Sequence, residues 1–485
     1  MTGRQNILRL AAVLLACCLI PAFAPASAAE SATPATLTVA ANDSTELSKN
    51  QADYVCDGVD DQAEIQAALA ALPDGGTVTL TEGTFNCAGV IAPPAGTTLS
   101  GQGPEATFLK FTHDGRISVD RENVTLDGFH IEGSGYSSGV KWLGVMTIRA
   151  SHTAIHNITG TADASIQAVY LLIHDPAVYA PTLEDVEFVN CKAVDTGTYG
   201  FLHNAWGSSN KVIKDVRYDN CAAINCGSKG AFNPWITGFD FAELNDMDGL
   251  RVTNCLAEGN LESGFHFEFD PTVTDAVLEN CVSRNNGQKP YPTVPYKQSD
   301  MSTHYFGCGY YAPNADVTFK NCTAEGNSLY GFYATNGGKL YDCVEKDTGA
   351  GKTDYTYRKP AGYYSIPSRS ANPALVLENC TSIDSHGYGL QVDLAKNIRI
   401  ENFELVNPAG IDGKGASLGG TNGQFSDASV DIVASGDQVD TLVWAKNNQN
   451  VQYSGEISSD SANAFLVEGG QNVQAEGLKV APAEE

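Results

Sequence analysis

The chain has 485 residues, of which 29 are lysine or arginine and 57 are aspartate or glutamate, so its formal net charge is −28. A surface this acidic repels phosphate backbones, which excludes nucleic-acid binding through a basic face. Glycine is frequent, with 48 residues, and methionine is rare, with 4. This composition is typical of many short strands and turns and does not fit a helical bundle.

The N-terminus has the pattern of a secretory signal peptide. Arg4 and Arg9 precede an apolar run from Leu10 to Ile20, and a small-x-small cleavage site ends at Ala28. The run is too short to span a bilayer, and no later stretch of the sequence is apolar enough to do so. Cys17 offers a lipoprotein site as the alternative to cleavage after Ala28. We therefore expect a protein that is secreted or held at the cell surface, without a transmembrane span.

The middle of the chain repeats a motif in which Asn or Asp precedes Cys. Its seven cysteines are Cys191, Cys221, Cys255, Cys281, Cys322, Cys343 and Cys380. They recur about every two dozen residues, with insertions of variable length, which is typical of the coils of a parallel β-solenoid. Stacking of such coils predicts a hydrogen-bonded ladder of Asn side chains and a column of inward-facing Cys side chains.

Two disulfides are possible, and each of them involves at least one cysteine outside this motif. The chain has 13 cysteines, two of them in the apolar N-terminal run, and the odd remainder leaves at least one unpaired in an oxidising compartment. Cys56 with Cys87, and Cys221 with Cys226, are the pairs that could form. The absence of CxxC pairs among the repeated cysteines disfavours a metal site.

Residues 53–90 have the features of a cap on the first coil. They comprise a turn at Asp57-Gly58-Val59-Asp60-Asp61, an amphipathic helix with Ile65, Leu69 and Leu72 on one face, and the strand-like segments Gly75-Gly76-Thr77-Val78 and Glu82-Gly83-Thr84-Phe85. This opening resembles that of the β-helix proteins that act on polysaccharides, the pectate-lyase-like enzymes and mannuronan C5-epimerases. The resemblance implies an all-β fold, a single-stranded right-handed parallel β-helix with an N-terminal helical cap.

The same resemblance implies candidate groups for removing a proton from a sugar. The epimerase pattern is Tyr-Gly-Phe followed closely by Asp and His, and this chain has Tyr199-Gly200-Phe201 followed by Leu202 and His203. Tyr199, His203 and Lys229 are therefore the candidates for that role, with calcium as the possible cation beside a uronate carboxylate. The Asp triad and the Gly-His-Gly motif of polygalacturonases do not occur in the sequence.

Two neighbouring coils carry a strip of acidic and imidazole side chains. The segment Gly264–Asp270 alternates with a period of two, so its three phenylalanines face the core, and His266, Glu268 and Asp270 face outward. Alignment of the two coils on their glycine-aromatic steps places Asp240 beside His266. Carboxylates within reach of one another shift each other's pKa values, which suits general acid–base catalysis.

This strip fits more than one chemistry. A glycoside hydrolase needs two carboxylates, which Asp240, Glu268 and Asp270 could provide. Asp240 and Glu268 could instead hold calcium, because carboxylate oxygens are the ligands that calcium prefers. An acidic site repels polyuronates, which favours neutral or amino-sugar glycans.

Aromatic residues in and near the inserted loops predict a groove that binds sugars. Aromatic rings cover flat apolar surfaces, and loops on one face of a solenoid commonly build a binding site. The candidates for substrate binding are Trp206, Trp235, Tyr291, Tyr305, Tyr311 and Tyr333.

These observations predict a monomeric protein that binds, and modifies, an extracellular polysaccharide as a lyase, epimerase or glycoside hydrolase. The alternative is a non-catalytic surface or matrix protein that binds glycan or serves as a structural rod. A carboxylate pair that faces an aromatic cleft would favour the enzyme. The predicted organisation is a signal peptide at 1–28, a flexible linker at 29–52, a cap at 53–90, coils with the Asn-Cys motif at 91–407, and C-terminal coils and a cap at 408–485.

Overall fold

A computed structural model gives the structure of the chain. It describes residues 35–179, 182–206, 212–241, 243–268, 272–288, 307–313, 315–335, 337–350, 358–366, 375–393, 396–419 and 425–482. The predicted signal peptide at 1–28 and the candidate residues Asp270, Tyr291 and Tyr305 lie outside the described residues.

The strands of successive coils stack in parallel and form two long sheets. One sheet has 29 strands and the other has 14, and each strand pairs with its counterparts in the coils before and after it. A turn at the Asn-Cys motif divides the larger sheet into two sides, so a coil has three sides. We call the 14-stranded sheet the site sheet and the larger one the ladder sheet. The chain is a parallel β-helix, as the sequence predicts.

The two sheets have the following strands. The site sheet contains Val90–Ile91, Arg116–Val119, Gly144–Ile148, Ala168–His174, Tyr199–Ala205, Phe239–Phe241, Phe265–Phe267, Cys308–Ala312, Tyr330–Ala334, Ala361–Ser365, Tyr388–Val392, Lys414–Leu418, Thr441–Lys446 and Phe465–Glu468. The first side of the ladder sheet contains Thr36–Ala40, Tyr54–Val55, Gly76–Leu80, Thr97–Ser100, Val124–Asp127, Thr153–His156, Leu183–Val189, Val212–Asp219, Asp246–Asp248, Arg251–Thr253, Val273–Glu279, Ala315–Lys320, Lys339–Tyr341 and Val376–Glu378. The second side contains Gly83–Cys87, Thr107–His113, His130–Tyr136, Thr159–Ala162, Lys192–Val194, Ala222–Ile224, Leu256–Glu258, Val282–Arg284, Thr323–Glu325, Val344–Lys346 and Thr381–Ile383. Both sides continue in the long strands Lys396–Val406, Ser426–Ser435, Gln449–Ser458 and Gln471–Ala481.

The predicted Asn ladder is present at the turn between the two sides of the ladder sheet. Asn190 Nδ2 donates to Asn157 Oδ1 at 2.9 Å, and Asn220 Nδ2 donates to Asn190 Oδ1 at 2.7 Å. Asn321 and Asn280 repeat the contact in later coils. These residues have φ values near +50°, a left-handed conformation that Asn tolerates better than most residues do. The side-chain ladder and the backbone turn therefore require the same residue type.

The repeated cysteines face the core as predicted, but the two possible disulfides do not form. All eleven described cysteines are buried, and none of them forms a disulfide. Cys221 stacks in the cysteine column, where its backbone N–H donates to Cys255 Sγ at 3.4 Å. Cys226 lies at the following turn, and its N–H donates to Asn260 Oδ1. The expected Cys221–Cys226 and Cys56–Cys87 bonds are therefore wrong for this structure.

A column of stacked aromatic rings fills the core beneath the site sheet. Its members are Tyr170, Phe201, Phe239, Phe265, Tyr310, Phe332 and Tyr363, with neighbouring ring centroids 4.7–5.1 Å apart. This spacing matches the distance of about 4.8 Å between parallel strands, so each coil adds one ring in register. The column fixes the position of the site sheet relative to the core.

The N-terminal end has the predicted helical cap, but it has regular secondary structure where the sequence predicts a flexible linker. The helix Gln62–Ala70 buries Ile65 and Leu69 against the first coil. The linker expected at 29–52 is wrong over its described part, since Thr36–Ala40 is a strand paired with Gly76–Leu80 and Glu46–Gln51 is a helix. The high content of Ala, Ser and Thr in this segment is typical of a linker, although the segment contains a strand. Both helices are short, and within the described ranges no helix could cross a membrane.

A fully buried carboxyl group lies inside one coil. Glu345 Oε2 accepts a hydrogen bond from Ser382 Oγ at 2.6 Å, and Oε1 accepts one from the Thr348 N–H at 2.9 Å. Burial raises the pKa of Glu345 from 4.5 to about 7, although these hydrogen bonds oppose the shift. Because the pKa is higher in the folded chain than in the unfolded chain, folding becomes less favourable as the pH rises from about 4.5 through 7.

Replacing Glu345 with glutamine should therefore stabilise the protein more at pH 8 than at pH 5. A shift of this size corresponds to a difference of about 3 kcal/mol in the free energy of unfolding. Urea unfolding of both forms at the two pH values measures it, with Glu279→Gln on the exposed face of the ladder sheet as the control. An equal effect of Glu345→Gln at both pH values would contradict the raised pKa of Glu345.

Candidate active site

The acidic strip predicted from the sequence lies on the outer side of the site sheet. Asp240 pairs with His266, and Phe239 pairs with Phe265, as the alignment of the two coils predicts. The phenylalanines face the core, and Asp240 and His266 face away from it. Both polar residues are nevertheless nearly covered, with 2 % of Asp240 and 6 % of His266 exposed. Segments that connect the coils enclose the strip, which makes it the floor of a cleft.

The cleft has a volume of about 400 Å³ and combines acidic and aromatic side chains. Its acidic lining residues are Glu243, Glu262 and Glu268, and its aromatic ones, besides His266, are Trp142, Tyr199, Trp235 and Tyr311. These residues come from six successive coils, counted by strands of the site sheet from Gly144–Ile148 to Cys308–Ala312. The cleft therefore runs along the axis of the β-helix.

His266 lies between two carboxylates at the centre of the cleft. Its Nδ1 lies 3.5 Å from Glu262 Oε1, and its Nε2 lies 3.5 Å from Glu268 Oε1. The imidazole also packs on Tyr311, with ring centroids 4.6 Å apart. Burial lowers the pKa of His266, but Glu262, Glu268 and Asp240 together raise it to about 10. His266 is therefore an imidazolium at neutral pH.

Three carboxyl groups converge beside this imidazolium. Asp240, Glu243 and Glu268 each offer an oxygen, and these oxygens all lie within 4.8 Å of one another. Thr237 Oγ1 donates to Asp240 Oδ2 at 3.2 Å, while Asp240 Oδ1 is buried and has no hydrogen-bond partner among the residues described. Burial raises the pKa of Asp240 well above its usual range. Burial and the nearby Glu268 raise the pKa of Glu243 to about 7. Asp240 and Glu243 therefore keep their protons to a higher pH than exposed carboxyl groups do.

Several of the other candidates from the sequence also line the cleft. Tyr199 is buried, its hydroxyl accepts a hydrogen bond from Asn233 Nδ2 at 3.3 Å, and burial raises its pKa. Trp235 is 37 % exposed and belongs to the same wall. Tyr311 covers His266. Tyr333 follows Tyr311 in the predicted column and packs on it, with ring centroids 5.0 Å apart, but Tyr333 is buried and does not line the cleft.

Three candidates are placed elsewhere. His203 is inside the coil, because it shares the inward face of its strand with Phe201. Its Nε2 lies 2.6 Å from Tyr218 Oη, and burial lowers its pKa to about 3, so it is a neutral core residue. Its prediction as a catalytic base is therefore corrected. Lys229 is exposed and Trp206 is 39 % exposed, and neither lines the cleft.

Five residues that line the cleft are not among the candidates from the sequence: Trp142, Gln167, Asn233, Glu243 and Glu262. Glu243 follows Asp240 by three positions, and Glu262 precedes His266 by four, so both flank a strand instead of lying within it. A period of two places side chains within a strand, so it does not place these two residues. Trp142 lies in a connection between coils that carries no recognisable insertion. Proximity to the Asp240–His266 pair was the signal that could have identified the two glutamates.

No protein-family model matches this chain, and neither does any curated protein. Among solved structures, it is similar to the A-module of a mannuronan C-5 epimerase of Azotobacter vinelandii, with 12 % identity, a TM-score of 0.39, and coverage of 88 % of this chain and 97 % of that one. The pectate lyase Pel9A has 13 % identity and a TM-score of 0.38, covering 73 % and 80 %. PfbA, a surface adhesin of Streptococcus pneumoniae, has 12 % identity and a TM-score of 0.40, covering 86 % and 88 %. Because these TM-scores lie below 0.5, the assignment of the fold rests on the strand pairing of this chain.

Proposed function

We propose that the protein is an extracellular glycoside hydrolase that cleaves a polysaccharide in this cleft. One observation supports the proposal above all: Glu243 and Glu268, which form a carboxyl cluster with the buried Asp240, line a cleft with aromatic walls. Glycoside hydrolysis needs a carboxylic acid that protonates the leaving oxygen and a carboxylate on the other side of the reacting carbon. A cluster that holds both protonated and ionised carboxyl groups meets this need.

The two glutamates have distinct roles in the proposed reaction. Glu243 is the general acid, since its raised pKa lets it keep a proton near neutral pH and donate it to the glycosidic oxygen. Glu268 is the nucleophile, because its ion pair with the His266 imidazolium favours the carboxylate. The separation between these groups is short compared with that of inverting enzymes, which leave room for a water molecule. The reaction should therefore retain the anomeric configuration.

The charge of the cleft supports a neutral sugar at the point of cleavage. Four acidic side chains lie at the reacting position, and among the described residues that line the cleft His266 is the one basic side chain beside them. A uronate carboxylate at this position would be repelled. The aromatic walls offer flat apolar surfaces on which the faces of neutral sugar rings can pack.

The proposed general acid predicts the pH dependence of the rate. Because Glu243 must carry a proton to act, kcat should fall as the pH rises through about 7. Initial rates measured between pH 5 and pH 9 test this limb. The fall of kcat through pH 7 should be absent in Glu243→Gln, because glutamine has no proton to lose in this range. A wild-type rate that stays flat to pH 9 would contradict the role of Glu243.

The activity itself is tested with a panel of neutral and acidic polysaccharides. We expect new reducing ends from a glycan that has a neutral or amino sugar at the point of cleavage, with no ultraviolet absorbance from an unsaturated product. Absorbance would indicate a lyase instead, and proton exchange at C5 without cleavage would indicate an epimerase. Binding without any reaction would support the non-catalytic protein that the sequence leaves as the alternative.

Calcium is a second candidate occupant of the same cluster. Asp240, Glu243 and Glu268 would hold it, and the unpartnered Asp240 Oδ1 fits a cation ligand. Calcium would supply a positive charge that neutralises a substrate carboxylate, which suits a lyase or an epimerase. A calcium-dependent rise in the melting temperature that is lost in Asp240→Asn would favour this candidate over the hydrolase.

A further inference from the structure

One end of the cleft differs from the carboxyl cluster in both charge and exposure. Trp142 is 55 % exposed there, although it is a large apolar residue. Its indole packs edge-on against Phe232, with ring centroids 5.2 Å apart, which holds the ring in one orientation. The Lys141 ammonium lies 4.8 Å from the centroid of Trp142 and 5.4 Å from that of Phe232. We call these three residues the distal platform.

The strand that follows Trp142 lies three coils away from the strand of Asp240 along the axis of the β-helix. In the site sheet, Asp240 pairs with Leu202, Leu202 with Leu171, and Leu171 with Thr147, five residues after Trp142. Three steps between parallel strands correspond to about 14 Å. Because Trp142 and the carboxyl cluster line one continuous cleft, a ligand that reaches both must be longer than a disaccharide.

Lys141 gives the distal platform the opposite charge to the rest of the cleft. The ionisable groups near the reacting position are Asp240, Glu243, Glu262, Glu268, His266 and two tyrosines. Lys141 is exposed and, among the residues described, forms no ion pair, even though the chain has a net charge of −28. Its contacts with the two rings hold the ammonium beside a surface on which a sugar can stack. An unpaired ammonium at this position can bind an anionic substituent of that sugar.

We propose that the distal platform binds a sugar unit that carries an anionic group. The substrate is then a heteropolysaccharide, with an acidic unit on Lys141 and Trp142 and a neutral unit at Glu243 and Glu268. This inference rests on the proposed function, since it takes the cleft to be the site of cleavage. Either a uronate carboxylate or a sulfate ester could supply the anionic group that binds Lys141.

Binding to a glycan array by the Glu268→Gln variant tests the platform without cleavage. The array contains neutral, uronate-containing and sulfated glycans, and the dissociation constant of each retained glycan is then measured by calorimetry. Carboxyl reduction of a retained uronate glycan, or desulfation of a sulfated one, identifies which anionic group is bound. Further substitutions in this variant are Lys141→Gln, Trp142→Ala and Trp142→Phe, with Lys192→Gln on the ladder sheet as the charge-matched control.

We expect the retained glycans to be acidic heteropolymers. Lys141→Gln should weaken their binding at least about threefold, as expected for loss of an exposed ion pair, and should leave the neutralised forms unaffected. Trp142→Ala should weaken binding about tenfold, Trp142→Phe should restore part of it, and Lys192→Gln should have no effect. Retention of neutral glycans alone, or dissociation constants unchanged by Lys141→Gln and Trp142→Ala, would overturn the proposed platform and leave the hydrolase proposal standing. Retention of no glycan would overturn both.

Discussion

Replacing Glu268 with glutamine should lower kcat at least about 10³-fold while leaving KM nearly unchanged. Glutamine has almost the same shape but cannot attack the anomeric carbon. The loss would therefore affect the transition state more than the binding of substrate. Rates on the best glycan of the panel measure this effect. Glu279→Gln, on the exposed face of the ladder sheet, is the control and should retain wild-type kcat.

Glu243→Gln should behave differently, which separates the two roles. Loss of the general acid should lower kcat on a polysaccharide by about 10²- to 10⁴-fold. The loss should be much smaller on an aryl glycoside with an acidic phenol as leaving group, because that group departs without protonation. Glu268→Gln should be inactive on both substrates. Equal losses on both substrates for the two variants, or an active Glu268→Gln, would contradict the assignment.

Replacing Phe265 with alanine should destabilise the protein by about 3 to 5 kcal/mol. Phe265 is fully buried in the aromatic column, between Phe239 at 4.8 Å and Tyr310 at 5.1 Å. Its removal leaves a cavity directly beneath His266, which the neighbouring coils cannot fill because their backbones are held in register. Urea unfolding followed by fluorescence and circular dichroism measures the change.

Phe265→Leu supplies the comparison for this cavity. Leucine replaces most of the lost volume but not the stacked ring, so its cost should be clearly smaller than that of alanine. A cost for Phe265→Ala below about 1 kcal/mol would show that the column does not support the coil. An unchanged kcat in both variants, at temperatures where they are folded, would show that the column carries stability but does not position the site.

The features that recur from coil to coil could be predicted from the sequence. Asn190 and Asn220 each accept a left-handed turn and bond to the coil before, so Asn, or Asp as at position 342, marks the turns of this motif. The pairing of Asp240 with His266 follows from the same regularity, because the segments from Gly238 to Cys255 and from Gly264 to Cys281 have equal length and align without a gap. A wrong assignment in one coil can therefore be recognised by comparison with the equivalent positions in the other coils.

The parts of the site that do not repeat could not be predicted in this way. Glu243 and Glu262 lie in connections that differ from coil to coil, so no periodicity places them in the cleft. Those connections also cover Asp240 and His266, which alternation alone places on an open sheet. Likeness to a motif indicates His203 as a base, although alternation from Phe201 already places it in the core.

Hydrolysis in water enriched with heavy oxygen tests the central claim most directly. The account predicts that each cleavage of a neutral glycosidic bond adds one heavy oxygen atom, at the anomeric carbon of the new reducing end. Proton magnetic resonance of the first products should show the anomeric configuration of the substrate. An unsaturated product without the heavy oxygen would contradict hydrolysis and favour β-elimination by the same cluster.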